Sequence, residues 1–72
     1  MDKRSMTIAG HRTSVALEPE FWAALETMAT ERSLSLSALV AEIDGIRPSD
    51  RNLASAVRVA ILDHLSRRPV AT

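Results

Sequence analysis

The sequence predicts a mostly α-helical domain: one N-terminal strand followed by three helices, with the strand pairing antiparallel across a homodimer. Three observations carry this. Polar and apolar residues alternate in "RTSVAL", residues 12–17, which is the period of a half-buried strand. Downstream, apolar residues recur every three or four positions in three separate blocks, the period of helices packed along one face. No second strand of matching parity accompanies the first, so its pairing partner is expected to come from another copy.

The strand places Thr13, Val15 and Leu17 on one side and Arg12, Ser14 and Ala16 on the other. Met6 and Ile8 have the opposite parity, and Gly10 between them permits a bulge or bend. The strand is therefore expected to begin at about His11, after a flexible basic arm over residues 1–10. The domain then covers 11–68, and 69–72 form a tail. Glu18-Pro19-Glu20 opens the first helix, since proline suits the first helical position and carboxylates favour the positive end of the helix dipole. Phe21, Trp22, Leu25, Met28 and Ala29 follow at helical spacing, with Trp22 as a core residue. Ser35 is a good N-cap for a second helix striped by Leu36, Leu39, Val40 and Ile43. Gly45 is expected to stop it in a left-handed C-cap, with Ile46 as the hydrophobic cap contact and Pro48 blocking continuation. The third helix begins near Asp50 or Asn52 and carries Leu53, Ala56, Val57, Ala60, Ile61 and Leu65. Val59 and Leu62 widen its apolar face, as in helices that pack against more than one neighbour. Arg67, Arg68 and Pro69 end it.

Seventy-two residues make one domain, and a chain of this size buries only about 60% of its unfolded surface. It has no cysteine, which excludes disulfide support and fits a reducing cytoplasm. Oligomerisation is the remaining source of burial. The lone strand points the same way, because unpaired edges are satisfied economically by a second copy about a two-fold axis. The expected dimer core is Thr13, Val15, Leu17, Phe21, Trp22, Leu39, Ile43, Val57 and Ile61. "MDKRSMTIAG" lacks the apolar segment of a secretory signal, and no apolar run reaches the length of a membrane span. A cytoplasmic protein with no membrane association is expected. Net charge is zero, but residues 1–17 carry +2, residues 18–50 carry −5 and residues 51–72 carry +3. A fold that brings the ends together gives one basic face.

The order of elements, with "TSVALEPEFWAALETMA" followed by "RSLSLSALVAEI", resembles the ribbon-helix-helix superfamily of Arc-like and Met-repressor-like proteins. "GHRTSVALEPEFW" with the later "NLASAVRVAIL" is similar to a largely uncharacterised bacterial subfamily, over about residues 8 to 66. The third helix is an addition to the simplest members, and either helix, 36–44 or 53–66, can form the larger part of the dimer core. The resemblance implies a two-stranded ribbon lying in the major groove of DNA, with Arg12, Ser14 and Ala16 facing the bases, two copies of each per dimer. Arg12 suits a bidentate contact to guanine, Ser14 can donate or accept, and Ala16 offers only a methyl contact where many members place a long polar residue. The resemblance also implies a phosphate clamp at the amide-rich start of the second helix, Ser35, Leu36 and Ser37, assisted by Arg32. Simple capping is the alternative role of Ser35. Lys3, Arg4 and His11 can add DNA-backbone contacts from a mobile arm, a plain solvated tail being the favoured alternative.

An enzyme is not expected. His11 and His64 lie at opposite ends of the chain, and Asp63 points about 100° away from His64 around its helix. Metal-ligand spacings and a glycine-rich phosphate loop are absent, so neither metal nor cofactor is expected. The favoured reading is a homodimeric DNA-binding transcriptional regulator, with itself and double-stranded DNA as partners. The alternative is a dimerisation or protein-interaction module, antitoxin-like or an adaptor, with weak or no DNA binding and a protein partner.

Overall fold

The chain reverses direction at Ala9 and Gly10, and this turn sets the geometry of everything before the first helix. Both residues have positive φ, 50° and 84°, the pattern of a two-residue type I′ turn, whose twist matches that of paired strands. In the computed structural model, which describes residues 1–67, the turn joins β1 (Asp2–Ile8) to β2 (His11–Leu17) as an antiparallel hairpin. Arg68 and the tail expected at 69–72 lie outside the described residues.

This corrects two expectations. β2 has its partner within its own chain, and residues 2–8, expected to be a flexible arm, form β1. The parity change at Gly10 is what a two-residue turn imposes. Arg4 lies opposite Val15, Met6 opposite Thr13 and Ile8 opposite His11, so even positions of β1 share a face with odd positions of β2. Met6, Ile8, Val15 and Leu17 are buried on that face.

The helices follow from caps and stops in the sequence. α1 (Pro19–Glu31) starts on proline after Glu18. It ends with Ser33 in the left-handed region at φ 55°, where the Leu34 N–H donates to the Ala29 carbonyl at 2.9 Å and the Ser33 N–H to Thr30 at 3.1 Å. Those two bonds make a Schellman turn, built here on serine rather than the usual glycine. α2 (Leu36–Ile46) is capped by Ser35, whose Oγ accepts from the Ala38 N–H at 3.0 Å. It runs through Gly45, contrary to the expected left-handed stop there, and Ile46 is 78% exposed instead of making a cap contact. The stop lies at Arg47, which is extended at ψ 145° because the following Pro48 disfavours a helical conformation at that position. α3 (Leu53–Ser66) is capped by Asn52, whose Oδ1 accepts from the Ser55 N–H at 2.8 Å.

The inner face of the hairpin lies across all three helices. Val15, Leu17, Trp22, Leu39, Ile43, Val57 and Ile61, expected between two copies, are buried within one chain alongside Leu25 and Val40, while Thr13 and Phe21 are half-buried. Trp22 fastens β1 to α1. Its Nε1–H donates to the Asp2 carbonyl at 2.8 Å, and the Arg4 guanidinium sits 4.5 Å over its ring while donating to Glu26 at 2.8 Å.

Val15 is 3% exposed, so Val15→Asp buries an unpaired carboxylate and should cost several kcal/mol, about enough to unfold a domain of this size. Ser14→Asp, one residue along on the outer face, should shift stability by only about 0.5 kcal/mol. Urea denaturation followed by circular dichroism checks the pair, and equal losses would overturn the assignment of faces.

Candidate nucleic-acid interface

The opposite face of the hairpin consists of Lys3, Ser5 and Thr7 from β1 and Arg12, Ser14 and Ala16 from β2. They pair as Lys3 with Ala16, Ser5 with Ser14, and Thr7 with Arg12. All are exposed except the half-buried Ala16. The two strands repeat one another. Lys3-Arg4-Ser5-Met6-Thr7-Ile8 and Arg12-Thr13-Ser14-Val15-Ala16-Leu17 both run cation, inward residue, serine, apolar, small, apolar. The repeat places Ser5 on Ser14, with their Oγ atoms 3.3 Å apart. Since the strands are antiparallel, this repeat gives the face an approximate two-fold axis between the serines, with the long cations Lys3 and Arg12 on either side. Arg12, Ser14 and Ala16 thus stay together on one exposed surface, joined by Lys3, expected only as an arm contact, and by Ser5 and Thr7, which the single-strand expectation left out. The nine-residue repeat and the parity change at Gly10 were the signals for them.

Charge separates this face from the rest of the molecule. Most arginines have carboxylate partners: Arg4 with Glu26 at 2.8 Å, Arg32 with Glu42, Arg47 with Asp44 at 2.7 Å, Arg58 with Glu18 at 2.9 Å and Arg67 with Asp63 at 3.3 Å. Among the described residues, Lys3, Arg12 and Arg51 have no carboxylate at ion-pair distance. Two of these three lie on the outer hairpin face, which carries no acidic residue. Arg4 and His11 fall on the inner-face parity, and Arg4 is held by Trp22 and Glu26. Of the cations expected as arm contacts, only Lys3 shares the outer face.

At the start of α2, Ser35 Oγ is engaged as a cap, whereas Leu36 and Ser37 have no intrahelical carbonyl within reach of their N–H groups. Arg32 is turned from that helix start toward Glu42, with Nη2 2.9 Å from Oε1 and Nη1 bonded to Oε2. The Arg32 hydrogen bonds hold the Glu42 carboxyl below its usual range. Glu18 is lowered as well, first by a backbone hydrogen bond and then by Arg58, whose guanidinium also lies 5.6 Å over Phe21. His64 Nε2 is 3.1 Å from Glu31 Oε1, and Asp63 is engaged with Arg67. Among the described residues, no group of three metal-ligating side chains is clustered, and no helix is long and apolar enough to cross a membrane.

A family model described as "Ribbon-helix-helix domain" matches residues 1–65. Members of that family generally form homodimers and bind DNA, and are typically non-enzymatic regulators. No curated protein and no solved structure matches the chain.

Folding lowers the carboxyl pKa of both Glu18 and Glu42 from 4.5. As pH falls, the unfolded chain therefore takes up these protons before the folded chain does. Their contribution to stability is present above pH 4.5 and is lost as pH drops through the lower, folded values. Thermal midpoints measured from about pH 6 to about pH 3 should fall in that window. Glu42→Gln should flatten the fall, and an unchanged profile in that variant would remove the Arg32 pair as a cause.

Proposed function

The chain belongs to the ribbon-helix-helix family, and from that premise we propose that it binds duplex DNA by laying the outer face of its hairpin in the major groove, as a bacterial cytoplasmic transcriptional regulator. The observation that carries this reading is the pair of uncompensated cations, Lys3 and Arg12, on an acid-free ribbon with approximate two-fold symmetry. A two-stranded ribbon is one of the shapes the major groove admits. Arg12 contacts guanine O6 and N7, Ser5 and Ser14 donate to or accept from base edges, and Lys3 reaches over Ala16 to a base or a phosphate. The open amides of Leu36 and Ser37 supply a phosphate contact that fixes orientation without reading sequence.

The zero net charge of the chain does not oppose this reading. Attraction to the polyanion depends on charge the protein itself does not neutralise, and the arginines on the helices are largely spent on internal pairs. Lys3 also answers the weak reading expected of Ala16. Directly opposed side chains on paired strands have Cβ atoms about 5 Å apart, so a long cation covers the position where β2 supplies only a methyl group.

Fluorescence anisotropy of labelled duplex across a salt series tests the proposal. Binding should weaken with salt. Lys3→Ala and Arg12→Ala should each lower affinity and reduce the slope of log K against log salt by about 1. Lys3 and Arg12 lie outside the core, so both variants should keep the wild-type circular dichroism spectrum. No binding at low salt, or a slope indifferent to both changes, would remove the hairpin from the account.

A further inference from the structure

Lys3 and Arg12 account for two of the three arginine and lysine side chains without a carboxylate partner, and the third, Arg51, lies elsewhere. It lines a groove of about 440 Å³ between α2 and α3, a volume within the range of about 300–1,000 Å³ common for small-molecule sites. The floor of the groove is apolar. Leu39, Ile43 and Ala56 are buried there, and Ile46 and Val59 flank them with 78% and 42% of their surface exposed. Its charges are uneven, with Arg32, Arg47, Arg51 and Arg67 set against Glu42 and Asp63. Arg32 is spent on Glu42, Arg67 on Asp63 and Arg47 on Asp44. Arg51 alone of the four has no carboxylate at ion-pair distance. Its backbone is fixed at the loop end of the groove, since its N–H donates to the Pro48 carbonyl at 3.1 Å and its carbonyl accepts from Arg47 Nη1 at 2.6 Å.

We propose that this groove binds an amphipathic carboxylate, a small organic acid whose apolar body lies along Ile43, Ile46 and Val59 and whose carboxylate takes a bidentate contact from the Arg51 guanidinium. Charge complementarity selects that class. One open guanidinium balances one carboxylate. A phosphomonoester would bring a second negative charge over an apolar floor, where its desolvation has nothing to offset it. A neutral apolar molecule would gain from the floor but nothing from the cation. The two backbone bonds of Arg51 hold the loop in place before a ligand arrives, so binding orders little more than the arginine side chain. This goes beyond the DNA-binding reading and does not rest on it.

Titration calorimetry with sodium octanoate as the probe, and with octanol and sodium acetate beside it, tests the site. Octanoate should bind wild type saturably at low millimolar concentration or tighter, and Arg51→Gln should weaken it about tenfold or more. Octanol, which has the apolar body without the charge, should bind both proteins equally and more weakly than octanoate binds wild type. Acetate, which has the charge without the body, should bind neither detectably. The Arg51 side chain is exposed, so the variant should keep the wild-type circular dichroism spectrum. Amide NMR shifts on adding octanoate should centre on residues 39–60. Absent saturation with wild type, equal octanoate affinity in Arg51→Gln, or shifts confined to the hairpin would overturn the proposal. Groove shifts that follow protein concentration and ignore octanoate would overturn it as well, assigning the face to a second copy. Because no readout involves DNA, failure here leaves the function of the ribbon standing, and failure of DNA binding leaves this site standing.

Discussion

The two-residue reversal at Ala9 and Gly10 is the constraint from which the rest of the arrangement follows. A two-residue loop aligns Ile8 with His11 and thereby fixes every later pair in the register. One residue more or fewer would exchange the faces of β1, exposing Met6 and Ile8 and turning Lys3, Ser5 and Thr7 inward. Positive φ at both turn positions holds the count. Glycine adopts that conformation without strain, whereas Ala9 pays a steric cost. Contacts beyond the turn offset that cost, chiefly the burial of Met6 and Ile8 against the helices and the attachment of β1 to Trp22 by the Asp2 carbonyl and the Arg4 guanidinium.

The same contacts sort the charges. Arg4 points inward by register and ends over Trp22 beside Glu26, whereas its neighbour Lys3 points outward and meets only Ala16 across the strands. Two adjacent basic residues therefore have different roles, one structural and one available to a ligand, and strand alternation makes the difference. Arg58 and Glu18 repeat the pattern at the other end of β2, where an ion pair joins the start of α1 to α3. Among the described residues, internal pairing leaves the outer hairpin face with two uncompensated cations and no acidic residue.

Much of this was legible in the sequence. The helical stripes, the cap at Ser35, the start of the third helix near Asn52 and the proline start of α1 are local signals that packing did not contradict. The inner and outer faces of β2 could be read from alternation alone. β1 was obscured because Ala-Gly is a weaker hairpin signature than Asn-Gly or Asp-Gly. A parity change at a glycine fits a bulge as well as a turn, and only the resemblance of residues 3–8 to 12–17 separates the two. Gly45 misled for a related reason. Glycine permits a left-handed stop but does not require one, and Pro48 imposed the stop after Arg47 instead. Val59 and Leu62 were visible as surplus apolar residues, but periodicity could not say whether a neighbour from the same chain would cover them.

The count of open cations bears on how the ribbon can bind at all. Two uncompensated cations per chain release few counterions, giving a salt slope of about −2 for one hairpin. That is little of the electrostatic affinity that DNA-binding proteins draw on. Family members generally form homodimers, and a dimer doubles the cationic contacts on one duplex, the second hairpin binding at the raised effective concentration set by the first. The hairpin's own approximate two-fold axis and the dimer's two-fold axis then have separate roles. The first lets a single chain present a complete ribbon to one stretch of groove, and the second fixes the separation between two such stretches. A family member whose ribbon is made within the chain thus gains from dimerisation in affinity and spacing, whereas one whose ribbon is shared between chains needs the partner to have a ribbon at all.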